Sequence, residues 1–143
     1  MPSPTTIIIV LAGLIGPFAS NLRSAGPPPV AESRRVPPGL WGGAHVRMVV
    51  GTEDARLEYD CASGTIDRPI VLDATGRFSA TGSHSSERGG PRREGQAAVA
   101  RARYVGRIRG NTMTLTVTLE DPKQRIGVFT LARNDDTLLT KCR

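Results

Sequence analysis

Few residues of this 143-residue chain could do chemistry: Cys61 and Cys142, His45 and His84, scattered carboxylates, and the arginines Arg101, Arg103, Arg107 and Arg109. Two cysteines in an exported domain are expected to pair, and this pair would close a loop of 81 positions. Loop-closure entropy gives such a bridge an upper figure of about 4–5 kcal/mol. A Cys–His nucleophile or a metal set would need a histidine beside a thiol, and only two histidines exist. The four arginines fall at even spacing, so a strand would carry them on one outward strip. Guanidinium groups bind phosphate, sulfate and carboxylate bidentately, which makes the strip a candidate anion-binding surface. Arg92 and Arg93 could add to it. The competing picture is a solvated row of charge beside a row of threonines, partly neutralised by Glu120.

Other patterns stop short of a reaction. There is no phosphate-cradling G-x-x-x-x-G-K loop, no G-x-S-x-G elbow and no H-E-x-x-H pair. Asp73-Ala-Thr-Gly76 approaches the D-T-G triplet of aspartic proteases but has an inserted alanine, and between two strands it reads as a turn. Asn134-Asp135-Asp136 offers too few ligands for calcium and also reads as a turn. His45 and Asp60 can approach each other across the first hairpin, yet an acid–base dyad also needs a cleft and tuned pKa values. The expectation is a non-enzymatic chain with no catalytic residue, no cofactor and no metal site.

The elements that would position these residues are strands. Apolar residues make up 38% of the chain, charged residues 22% and aromatics 4%, with mean hydropathy −0.20. Sixteen glycines and eleven prolines imply many turns and little helix. From Leu40 onward apolar residues recur with period two between turn signals, over 45–50, 55–61, 70–72, 77–84, 101–109, 112–120, 125–133 and 137–142. The firmest pattern is a hairpin across Gly110-Asn111, a glycine-first turn of type II′. It pairs Arg109 with Thr112, Arg107 with Thr114, Tyr104 with Val117 and Ala102 with Leu119, so that one face is wholly apolar. After the loop Asp121–Gln124, one bulged residue is needed to turn Phe129 and Leu131 inward, where each gains about 1.5–3 kcal/mol from burial. Eight sequential strands predict an all-β, up-and-down antiparallel meander closed as a barrel, with a two-sheet sandwich as the alternative.

Before the domain lie two other segments. Ile7–Ala19 is uncharged, too short to span a bilayer and long enough for a signal-peptide core, with cleavage expected after Ala19 or Ala25. Residues 26–39 hold a proline cluster and read as an extended spacer, which leaves 40–143 as one β domain. The expected location is extracytoplasmic, periplasmic or secreted, with no transmembrane anchor after cleavage. The net charge of +6 is carried almost wholly by arginine. With few aromatics for stacking, and with export separating the chain from it, nucleic acid is not the expected partner.

Leu40-Trp41-Gly42-Gly43 resembles the Gly/Trp entry of lipocalin-like and avidin-like barrels, which implies that Trp41 plugs one end of the barrel. More broadly, Trp41-Gly-Gly-Ala-His45, Tyr59-Asp-Cys-Ala-Ser-Gly-Thr-Ile66, Gly89-Gly-Pro91, Gly110–Leu119 and Lys141-Cys142 together resemble a group of small exported bacterial proteins without an assigned role. That resemblance implies an extracytoplasmic β domain with one disulfide and brings no activity or cofactor. Two functions are therefore carried forward. One is an exported binding or structural module contacting an anionic envelope component. The other is a secreted inhibitor of a protease or other enzyme, presenting its proline-rich arm.

Overall fold

The computed structural model of the chain describes residues 34–87 and 99–142, together with the isolated positions 4, 13, 16 and 26. Nearly all of the expected leader, half of the spacer, and Arg92 and Arg93 lie outside the described residues. Ten strands and, among the described residues, no helix make up the fold. They are β1 (Arg34–Arg35), β2 (Gly39–Gly43), β3 (Val46–Val50), β4 (Ala55–Tyr59), β5 (Ala62–Ile66), β6 (Val71–Leu72), β7 (Arg77–Ser86), β8 (Val99–Arg109), β9 (Thr112–Leu119) and β10 (Gln124–Arg133).

Eight of these close an antiparallel barrel in the order β10-β2-β3-β4-β5-β7-β8-β9. Pairing of Ala132 with Gly42 and of Arg133 with Trp41 joins the last strand to the first, so the sheet is a barrel and not a sandwich. The number of wall strands is as the periodicity predicts, but two members differ. Gly39–Gly43, expected as an entry segment before the first strand, is itself the first wall strand, and Ala62–Ile66 is a wall strand that the apolar pattern did not reveal. Conversely, residues 137–142 form no strand, and Val71–Leu72 leaves the wall to pair with Arg34–Arg35. That small ribbon brings Val36, Ile70 and Leu72 into the core at the end of the barrel where β2 begins. Arg34–Val36, within the stretch read as spacer, thus pack on the barrel.

The Gly110-Asn111 hairpin has the predicted register along its whole length, from Arg109 opposite Thr112 to Ala102 opposite Leu119. Gly110 takes φ +58 while Asn111 does not take positive φ, as a type II′ turn requires. The bulge needed after the 121–124 loop lies between Arg125 and Gly127. It sets Phe129 opposite Leu115 and Leu131 opposite Met113, with Leu131 fully buried and Phe129 packed against the core.

The interior is filled by side chains, chiefly Trp41, Met48, Leu57, Tyr104, Leu115 and Leu131. Its few aromatics fit because glycines face them. A Cβ at Gly64 would meet the Tyr104 hydroxyl, and one at Gly106 would meet the Phe78 ring. The Tyr104 hydroxyl then donates to the Ser83 carbonyl (2.5 Å), which satisfies it inside the barrel. Trp41 points inward from the middle of β2 as one of the largest of these core groups.

Gly106→Ala should therefore overpack the interior and lower the free energy of unfolding by about 1–3 kcal/mol in urea titration. Adding Phe78→Leu should recover part of the loss. An unchanged midpoint for Gly106→Ala would show that the ring is free to move aside.

Candidate functional site

Three groups of polar residues stand out on this barrel. The first is the arginine strip of β8. All four arginines face outward, but Val105 interrupts the row and the two halves have different surroundings. Arg101 and Arg103 share Glu120, each at 3.5 Å from its carboxylate. Arg107 lies opposite Thr114 on one side and Arg77 on the other, and Arg109 lies opposite Thr112. Among the described residues no carboxylate stands within ion-pair distance of Arg77, Arg107 or Arg109. Burial, then the positive charges of Arg109 and Arg77, hold the Arg107 guanidinium below the ordinary arginine range, with Asp73 opposing them weakly. Its Nε is buried and, among the described residues, without a hydrogen-bond partner. These three arginines and Thr112, Thr114 and Thr116 line a surface groove of about 580 Å³.

The row read from sequence as one strip is thus two groups, a pair that shares one carboxylate and an uncompensated cluster with none at ion-pair distance among the described residues. Arg77 belongs to that cluster through the β7–β8 register, which no two-residue turn fixes because Ser86 and Val99 are far apart in the chain. No local pattern could have found it.

The second group gathers at the other end of the barrel, where the β2–β3 and β4–β5 turns meet the C-terminal segment. His45 takes φ +66 in its turn, and its ring donates through Nδ1 to Asp60 Oδ2 (2.5 Å). The other Asp60 oxygen accepts the Thr140 backbone N–H (3.0 Å), the Asp60 carbonyl accepts Cys142 N–H (3.1 Å), and Lys141 Nζ donates to the Tyr59 carbonyl (3.1 Å). The hydrogen bond from His45, helped by that from Thr140, holds the Asp60 carboxyl below the usual range. Cys142 is disulfide-bonded to Cys61, with Cα atoms 5.1 Å apart. Asp136 pairs with Arg47 (3.3 Å) on the way, so residues 134–142 form a strap along the outside of β2, β3 and β4. The expected approach of His45 and Asp60 is real, but the imidazole is 77% exposed and does not line the arginine groove, and the carboxylate is committed to the strap.

The third group is inside. His84 is buried opposite Gly64, its ring 5.4 Å from that of Tyr59, and burial pushes its pKa down. Burial, with Tyr104 adjacent, pushes Tyr59 far above the ordinary tyrosine range, and Tyr104 is pushed up to about 12. Trp41 lies in the same interior with the Arg133 guanidinium 5.8 Å from its ring centre. These groups are packing residues of a filled barrel and face no cavity found among the described residues.

A disulfide-bonded pair fits an extracytoplasmic location. Among the described residues no helix is long and apolar enough to cross a membrane, and no three His, Cys, Asp or Glu side chains are grouped as a metal set. Compared with protein-family models, with curated proteins and with solved structures, the chain matches none.

Two outcomes follow. A folded-state His84 held below its ordinary pKa of 6.5 disfavours the fold once the unfolded chain takes up that proton, so stability should fall as pH drops below about 6.5. His84→Leu should remove that part of the slope in a pH series of thermal melts; an identical slope would place the proton elsewhere. Asp60, held low in the fold, stabilises the strap above its unfolded pKa near 3.8 and loses that contribution as pH falls through its folded value. Asp60→Asn should likewise speed amide exchange at Thr140 and Cys142 at neutral pH, with the β8–β9 amides unchanged.

Proposed function

We propose that the chain is an exported, non-enzymatic binding module whose partner presents phosphate or a comparable anion, and that Arg77, Arg107 and Arg109 with the β9 threonines are its binding face. The observation that carries this is the uncompensated cluster. Three guanidiniums share one face of two adjacent strands, no carboxylate stands within ion-pair distance of them among the described residues, Asp73 offsets them only weakly from its loop, and one carries a buried, unsatisfied N–H. Like charges brought this close raise the free energy of the bare protein. An anion received between them relieves that repulsion and accepts several charge-assisted hydrogen bonds at once. Threonine hydroxyls alongside supply further donors without bringing charge of their own.

Export is supported by the uncharged Ile7–Ala19 run and by the Cys61–Cys142 bridge, which an oxidising compartment would maintain. The anions reachable there are those of the cell envelope, which agrees with the cationic composition of the chain.

Titration of the folded protein with inorganic phosphate at low salt tests this. Arg107→Ser/Arg109→Ser should weaken binding at least tenfold, whereas Arg101→Ser/Arg103→Ser, which removes arginines already served by Glu120, should change it little. Equal losses in the two double variants would reduce the effect to net charge, and no loss in the first would dismiss the site.

A further inference from the structure

Beside the arginine groove the barrel carries an apolar slot of about 400 Å³, walled by Val71 and Leu72 of β6, Phe78 of β7 and Val105 of β8. Arg77 and Val105 line both hollows, so the two adjoin. Val71 and Val105 remain 42% and 43% exposed, although the outer face around them is otherwise largely polar. The slot exists because β6 leaves the wall to pair with β1, which opens a step between the ribbon and the lower half of β7. Its one carboxylate, Asp73, is turned into its own loop, where Oδ1 accepts from Thr75 N (2.8 Å), Thr75 Oγ1 (2.7 Å) and Arg77 N (3.0 Å). The negative charge it leaves at the slot repels an anion there and favours a neutral chain. An anionic group is sent instead to the arginine side.

We infer that the two hollows form one site for a single-chain anionic amphiphile, a lipid whose phosphate sits between Arg77, Arg107 and Arg109 while its hydrocarbon chain lies over Val71, Leu72, Phe78 and Val105. The inference rests on the anion reading above and adds the apolar half. The combined size suits a small-molecule site, and the division into a few charged donors and an apolar wall is what such sites use for orientation and affinity. A phosphate with several acceptor oxygens can take donors from more than one arginine at once, and free phosphate would leave the slot unused.

Calorimetry on the full folded protein separates the two claims, with dodecyl phosphate below its micelle concentration compared with inorganic phosphate. Each methylene taken out of water multiplies affinity about fourfold, so a seated chain should make dodecyl phosphate bind about 100-fold more tightly or better. Val71→Ser/Val105→Ser, at exposed positions that leave the core intact, should cost at least tenfold for dodecyl phosphate and nothing for inorganic phosphate. Equal affinity for the two probes, or dodecyl binding indifferent to the valine substitutions, would overturn the slot and leave the anion site standing. Failure of both probes to bind the unaltered protein would overturn the anion site itself.

Discussion

Interior volume is the constraint on which this molecule depends. An eight-stranded barrel has just enough room for its own side chains, and two of its aromatic rings fit because glycines leave space for them. Tyr104 is seated over Gly64 and Phe78 over Gly106. With those matches made, Trp41, Met48, Leu57 and Leu115 fill the rest, and the Tyr104 hydroxyl finds a backbone acceptor. Side chains occupy the interior, and the arginine groove and the apolar slot both lie on the outer wall.

The two ends and the outer wall then divide the work. One end is closed by the β1–β6 ribbon through Val36, Ile70 and Leu72, and the step beside that ribbon is the apolar slot. The other end is tied by the 134–142 strap, fixed at Asp60 by hydrogen bonds and at Cys61 by the disulfide. A bridge spanning 81 positions removes more disorder from the unfolded chain than a short one would, and here it fastens a segment that adds no strand. Between the ends, the β7–β8–β9 wall carries the arginines, and Glu120 decides which of them have a carboxylate partner.

How much of this could be read beforehand follows from how local each cause is. The β8–β9 hairpin was legible because a two-residue turn fixes register and the alternation continues for several pairs without a break. The bulge in β10 was legible because only a shift of one residue brings Phe129 and Leu131 inside. Ala62–Ile66 was hidden for the reason it is needed: its inward glycine is the space that Tyr104 occupies, so it shows little apolar contrast. Residues 137–142 misled in the opposite sense. They look strand-like, but the barrel is already closed by β10 on β2, no edge remains for them, and Leu138 is left 94% exposed.

The chain's odd–even rhythm and turn residues by themselves determined an all-β antiparallel meander, barrel or sandwich, and which faces of its longest strands meet water, because side-chain alternation and tight turns are properties of neighbouring residues. Only the tertiary structure decided which strands close the wall, which arginines have a carboxylate and which stand uncompensated beside an apolar step. Those outcomes depend on register across long connections, on Arg77 meeting Arg107 and on Glu120 reaching Arg101 and Arg103, and no local sequence signal encodes the distance between residues that the chain brings together only on closure.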